Sequence, residues 1–433
     1  MIPSIIISAV SCLLMILGVL FLPTVKIGKL KLDTYWIVAL LGAAVLLVSG
    51  QADVAKVGAA LVSNDAINPI KILVLFISMT VLSIFLDELG FFSHLANVTL
   101  KKAKTSQVKL FIYLYVTVSV LTVFTSNDVI ILSFTPFICY FAKNAKISPM
   151  PYLAAEFVAA NTWSMMLVIG NPTNIYLSQA YGINFLGYTK VMLLPTLVAG
   201  TVALLVMFLI YRKKLSEPIS GEPEETRIQD KPQLIVGLAH LGVCTVALAI
   251  GSYIGLEMWL VSLVSAISLF IFTLAFSIAR RRKPTELVAC LRRAPWQLIP
   301  FVLGMFVMVI SLSESGVTAK IAELLGDGFT VIKYGITSFL AANVINNIPM
   351  SVLFCSIIES VAAEITMPAV FAAVIGSNIG AFLTPIGALA GIMWSSILKE
   401  HNLKFGYLDF LKIGVTVAIP TILSALGILA LII

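Results

Sequence analysis

Residues Leu121 to Pro136 read LTVFTSNDVIILSFTP, an apolar run broken at its centre by Thr125-Ser126-Asn127-Asp128. Polar residues in the middle of a span are costly in lipid, so this tetrad must face protein, water or a ligand. The pattern recurs from Leu340 to Phe354, LAANVINNIPMSVLF, with Asn346-Asn347 at the break. Paired polar breaks in corresponding positions of two halves point to the binding site of a secondary transporter.

The surrounding composition agrees. The 433 residues are 60% hydrophobic and 11% charged, with a mean hydropathy of +1.05. A soluble chain would be about a quarter charged. The chain therefore reads as an all-α polytopic membrane protein whose main partner is the lipid bilayer. The net charge of +7 lies in short loops between apolar runs, which is a topology signal and not a nucleic-acid footprint. Cys12, Cys139, Cys244, Cys290 and Cys355 are scattered without a CxxC pair. His94, His240 and His401 have no ligand spacing, so no metal site and no cofactor are expected beyond a co-transported H+ or Na+. The first run, Ile5 to Leu22, lacks a preceding positive charge and a small-residue cleavage site, and reads as a retained span.

Spans of roughly 20 apolar residues fall at 3–22, 34–50, 69–86 and 189–211, and again at 234–253, 258–279, 295–313 and 413–433. Between them lie hairpins at 108–142 and 331–362 and broken spans at 151–178 and 368–398. A charged linker, 212–233, with Pro218, Pro223 and Pro232, divides residues 1–211 from 234–433. The halves answer one another. Leu86-Asp87-Glu88-Leu89-Gly90 matches Leu312-Ser313-Glu314-Ser315-Gly316, and Asn127-Asp128 matches Asn346-Asn347. Pro151 and Asn161 match Pro368 and Asn378, and Gly187-Tyr188 matches Gly406-Tyr407. Four matches in order indicate an internal repeat.

Loop charge sets the topology. With re-entrant hairpins and an external N-terminus, only Lys56, Lys71, Lys190, Lys320 and Lys333 of the 28 basic residues fall outside. The expected fold is thus about 10 transmembrane helices plus two re-entrant hairpins in two inverted-topology repeats, with both termini external in a cytoplasmic (inner) membrane.

The breaks define the candidate site. A re-entrant tip presents unpaired N–H groups near the bilayer centre. Thr125, Ser126, Asn127, Asn346 and Asn347 would add hydroxyls and amides to them. Asp128 is the only carboxylate at a tip and the candidate proton carrier; its alternative role is a helix N-cap. In the first broken span, Asn161 and Thr162 lead into Gly170-Asn171-Pro172-Thr173-Asn174. In the second, Gly376-Ser377-Asn378-Ile379-Gly380 leads into Thr384-Pro385-Ile386-Gly387. Gly and Pro there favour unwound helix lined by amides. Glu156 either shuttles protons or snorkels to the interface. Asp87, Glu88 and Glu314 read as span boundaries, Cys139 and Cys355 as small buried hydrophobes, and Trp163 and Trp394 as packing residues. No Lys or Arg lies within a break, so the residues alone indicate a secondary transporter of a small polar solute or ion. A nucleophile–base pair at depth is missing, which argues against an enzyme.

Several strings resemble the arsenite/antimonite efflux permeases, the membrane subunit of the arsenical pump. They are Arg293-Ala294-Pro295-Trp296-Gln297, Leu303-Gly304-Met305, Asn346-Asn347-Ile348-Pro349 and Thr384-Pro385-Ile386-Gly387, with Leu86-Asp87-Glu88 and Asn127-Asp128. The resemblance runs over nearly the whole chain. It implies the ion transporter superfamily fold, elevator-type movement and proton-coupled efflux of arsenite or antimonite. Elevator relatives are often homodimers. The arsenical type can associate with a soluble ATPase, and the chain itself has no G-x-x-x-x-G-K-[ST] loop. The sequence departs from those permeases at Asn378, where they carry Asp, and at Phe382-Leu383, where they carry Pro-Lys. The same superfamily holds sodium-coupled dicarboxylate or citrate carriers and sodium/proton antiporters, which are the alternative functions.

Overall fold

The computed structural model describes residues 2–22, 24–27, 30–63, 68–217, 219, 228, 230–251, 253–403 and 405–433. Much of the linker 212–233, with Pro218 and Pro223, lies outside the described residues, as do Lys29, Arg227 and Lys404.

The chain is an all-α polytopic membrane protein. Helices α1 (Ile2–Phe21) and α2 (Thr34–Val48) are joined by a small antiparallel ribbon, β1 (Thr24–Ile27) and β2 (Leu30–Asp33), with Thr24 opposite Asp33. A short α3 (Val54–Val62), α4 (Pro69–Glu88) and a short α5 (Phe91–Ala103) follow. The first polar break separates α6 (Gln107–Phe124) from α7 (Asn127–Asn144). Then α8 (Met150–Trp163) and α9 (Pro172–Ala180) flank an irregular segment, and α10 (Phe185–Tyr211) ends the first half. The second half runs through α11 (Lys231–Gly251), α12 (Met258–Ala279), α13 (Thr285–Arg293), α14 (Leu298–Glu314) and α15 (Val317–Leu325). Its break separates α16 (Thr330–Ile345) from α17 (Asn347–Ile358). Helices α18 (Ala363–Gly380), α19 (Leu389–Glu400) and α20 (Tyr407–Ile432) complete it.

Eight helices among the described residues are long and apolar enough to cross a membrane, and shorter apolar helices accompany them. The ribbon and the short α3, α5, α13 and α15 are too brief to register as apolar spans, and the hydropathy pattern missed them. Caps place the helix starts. The Asn68 side chain accepts from Ile70 and Lys71 N–H at α4, Ser106 from Lys109 at α6, and Asn184 from Gly187 at α10. Gly90 and Gly316, matched in the sequence, begin α5 and α15 at φ of 79° and 73°. That left-handed geometry favours glycine and lets the chain turn sharply off α4 and α14.

The halves interdigitate. Helix α2 packs on α14 and α4 on α12; α7 meets α19 and α9 meets α17; α10 runs against α20. Helices α16 and α18 approach so closely that a Cβ on Gly376 would lie 2.8 Å from the Phe339 backbone nitrogen. Such small-residue contacts drive helix association where lipid removes the hydrophobic incentive. The outer surface is apolar: Val264, Ile267, Ile271 and Phe272 on α12 are exposed.

Ion pairs tie the element ends together. Arg293 on α13 bridges Asp87 at 2.6 Å and Glu88, both at the end of α4. Lys56 on α3 pairs at 2.8 Å with Glu314, at the end of α14. The boundary acids therefore end helices as read, and also clamp a short helix of the other half. Replacing Arg293 by Met leaves two adjacent carboxylates without their counter-charge. Thermal unfolding in detergent should show a loss of about 2 kcal/mol. Glu314→Gln should cost less, because Lys56 is exposed. Lys71, 2.6 Å from Glu257, holds that carboxyl below the usual carboxylate range. The contribution of this pair is present at neutral pH and is lost as pH falls through the depressed value.

Candidate functional site

Each polar break is a helix end followed at once by a helix start. At the first, Thr125 returns its hydroxyl to Leu121 O at 2.8 Å, and Ser126 caps α7 by accepting from Asp128 N–H at 3.3 Å. The capping role open to Asp128 thus falls to Ser126. Asp128 lies in the first turn of α7, where the exposed N–H groups favour a negative charge. Its half-buried carboxylate has no hydrogen-bond or ion-pair partner among the described residues. Asn127 is buried and donates to Asn161 Oδ1 at 3.1 Å, while Asn161 donates to Phe157 O at 2.8 Å.

The second tip is built differently. Asn346 takes a φ of 72°, accepts from Ile348 N–H at 3.3 Å and donates to Ile386 O at 3.0 Å. Asn347 is buried, and its backbone N–H donates to Gly387 O at 3.0 Å. A residue missed in the sequence, Asn343, completes the contact. It donates to Gly380 O at 3.0 Å and accepts from Thr384 Oγ1 at 2.7 Å. Its place in the last turn of α16, three residues before Asn346, was the signal available.

The two broken spans differ from the expected pattern in where they unwind. Asn161, Thr162 and the whole of Gly376–Gly380 are helical; the irregular segments are 164–171 and 381–388. The reason is local: Asn161 and Asn378 each donate to the carbonyl one turn back, Phe157 and Val374, so a polar residue need not end a helix. In the first segment Asn171 caps α9 by accepting from Thr173 N–H at 3.2 Å, with Pro172 at the first helical position. Gly170 presses on the Ser164 carbonyl so closely that a Cβ would collide with it. Gly170→Ala should cost about 1–3 kcal/mol of stability, and substrate transport by the purified protein should fall with it.

Asn378 joins the halves. Its Oδ1 accepts from Ser164 Oγ at 2.9 Å and Asn171 Nδ2 at 3.2 Å, and its Nδ2 donates to Asn174 Oδ1 at 2.7 Å. Asn174 in turn donates to Ser164 O at 2.8 Å. Asn127 Oδ1, Thr162 Oγ1 and Ser377 Oγ are buried without partners among the described residues.

Of the two roles open to Glu156, the snorkelling one falls away. The side chain is fully buried and accepts from Thr135 Oγ1 at 2.9 and 3.0 Å, so it cannot snorkel. Trp394 packs among Phe157, Phe405 and Phe410, and Cys139 and Cys355 are buried.

A cavity of about 790 Å³ reaches Asp128. Thr80 of α4, Tyr35 of α2 and Pro385 also line it, with Arg292, Trp296 and Lys399 toward its rim. Trp296 and Tyr407 are 45% and 43% exposed, so the cavity opens to the surface there. Of the first tip's tetrad, only Asp128 faces it.

The chain has relatives among known proteins. It is 29% identical over 376 residues to an arsenical pump membrane protein of Escherichia coli, covering 82% of this chain and 85% of the relative. It is 26% identical over 388 residues to a putative arsenical pump membrane protein of Bacillus subtilis, with the same coverage. The crystal structure of the Alcanivorax borkumensis YdaH transporter superposes with a TM-score of 0.57 at 15% identity, covering 99% of this chain and 98% of that one. That likeness concerns the fold. The citrate transporter family profile matches residues 33–376, and the chain, a membrane transporter, belongs to that family.

Proposed function

We propose that this protein is a proton-coupled secondary transporter that exports arsenite or antimonite across the cytoplasmic membrane. The observation that carries the reading is Asp128: a carboxylate at a helix start, without a counter-ion among the described residues, facing a large open cavity and next in the chain to Asn127, which bonds the buried Asn161. Such a group can take up a proton when the solute leaves and release it when the solute returns. Arsenite is an uncharged trihydroxy solute, and amide and hydroxyl groups such as Asn127, Thr162 and Ser377 suit it without a lysine or arginine at depth.

The two halves are inverted repeats in this reading, and the reciprocal packing of α2 on α14 and α4 on α12 supports it. The hairpins and broken spans, α6–α9 and α16–α19, move as one body against the remaining helices. Loop charge puts Lys26, Arg292, Arg293 and Lys399 in the cytoplasm. The cavity mouth at Thr24, Arg292 and Lys399 then faces the cytoplasm, as capture for export requires. The ion pairs support the same topology. Lys56–Glu314 and Lys71–Glu257 join ends assigned outside, and Arg293–Asp87 joins ends assigned inside.

A second reading is sodium-coupled carriage of citrate or another carboxylate, favoured by Arg292 and Lys399 at the mouth and by the family profile. Proteoliposomes separate the two. An imposed pH gradient should drive labelled arsenite against its concentration, with no effect of sodium. Citrate uptake driven by a sodium gradient, with arsenite unmoved, would replace the first reading by the second.

A further inference from the structure

Beside the large cavity lies a second, water-sized pocket of about 20 Å³. Cys12 and Met15 of α1, Phe301 of α14 and Asn346 at the second tip line it. Tyr35, Leu389 and Ile392 line both cavities and therefore stand between them. Tyr35 is on α2, whereas Leu389 and Ile392 are on α19, so the partition is shared between two elements. The Tyr35 ring is held edge-on to Phe301, with centroids 5.1 Å apart at 85°, and its hydroxyl donates to Gln297 Oε1 at 3.2 Å. Gln297 is itself in the wall of the large cavity. Asp128 thus faces one chamber and Asn346 the other, with a tethered aromatic ring between them.

We propose that Tyr35 is a selectivity residue: its ring closes the passage from the open cavity to the second tip, and Gln297 fixes it there. A solute that is to touch both Asp128 and Asn346 must displace the ring. Those that can replace the hydroxyl–amide hydrogen bond with one of their own do so at least loss. Neither the substrate nor the coupling ion enters the inference; it requires only that something passes between the chambers.

Cys12 reports on the passage. In lipid vesicles, modification of Cys12 by a charged, membrane-impermeant methanethiosulfonate reagent is followed by peptide mass spectrometry. Buried Cys244 and Cys290 serve as internal controls for unfolding. Wild-type Cys12 should react slowly. Tyr35→Phe keeps the ring and loses the tether, and should speed the reaction about fivefold. Gln297→Leu should match it, and Tyr35→Ala, which removes the ring, should exceed both. Tyr35→Ala should also accept bulkier solutes than the wild type, whereas a packing defect alone would slow all transport equally. The proposal is overturned if Cys12 reacts as fast in the wild type as in Tyr35→Ala, or stays unreactive in Tyr35→Ala with the control cysteines protected. Since labelling needs neither substrate nor gradient, its failure is distinct from failure of the arsenite reading.

Discussion

Asp128→Asn should abolish pH-gradient-driven accumulation of arsenite, bringing it to the level of protein-free vesicles, while insertion and thermal stability stay near wild type. The structure gives both halves of this expectation. The helix start is capped by Ser126, not by Asp128, so the substitution removes no structural hydrogen bond. The carboxylate has no ion-pair partner among the described residues to be orphaned, and asparagine nearly matches its shape. What is lost is the ability to change charge. Solute and proton can then no longer displace one another, and transport runs only down the solute's own gradient. Normal uphill transport by Asp128→Asn at every pH would remove Asp128 from the mechanism. Glu156, buried against Thr135, would then be the next buried acid to test.

Asn378→Leu should be the most damaging single change to the folded state. It strips the acceptor from Asn171 Nδ2 and the donor from Asn174 Oδ1, both fully enclosed. Two orphaned polar groups at about 1–3 kcal/mol each give about 2–6 kcal/mol, a large share of a typical total stability. Asn378→Asp is the more informative partner. The Asn378 amide accepts from Ser164 and Asn171 while donating to Asn174 Oδ1 and Val374 O. A carboxylate can do only the accepting, and would face two oxygens. Asn174 cannot turn its amide to help, because its own Nδ2 is committed to Ser164 O and Leu167 O. Only the protonated acid can donate, so the stability of Asn378→Asp should fall as pH rises. A flat pH profile, read by thermal unfolding, would show that the amide's donor side is unimportant.

Much of this site was visible in the chain itself. Thr125–Asp128 and Asn346-Asn347 stand out because polar groups in an apolar run have no solvent to turn to, and both fall within a residue or two of a real helix break. The Gly170–Asn174 string marks the end of a true interruption: Asn171 caps α9, and Pro172, Thr173 and Asn174 form its first turn. Within the second broken span the break falls at the Thr384–Gly387 string, while the Gly376–Gly380 string stays helical. Asn378 looks like a helix breaker in a string of letters, but its amide bonds the preceding turn, and the helix runs on to Gly380. Which of its two roles Glu156 could take was hidden for a related reason. Sequence position gives a residue's depth along a span, not the direction it faces, and here it faces Thr135 in the interior.

Hydropathy, capping residues and polar interruptions act over a few neighbouring positions. The chain alone therefore determined that this is a helical membrane protein with two hairpin breaks and a lone acid at the first. Which groups meet was decided only in three dimensions. Ser164 and Asn378, 214 positions apart, share a hydrogen bond, and Tyr35 reaches Gln297 across 262. Arg293 closes on the end of α4 across 206. Such contacts depend on how packed helices converge from both halves, and no local pattern of residues encodes that convergence.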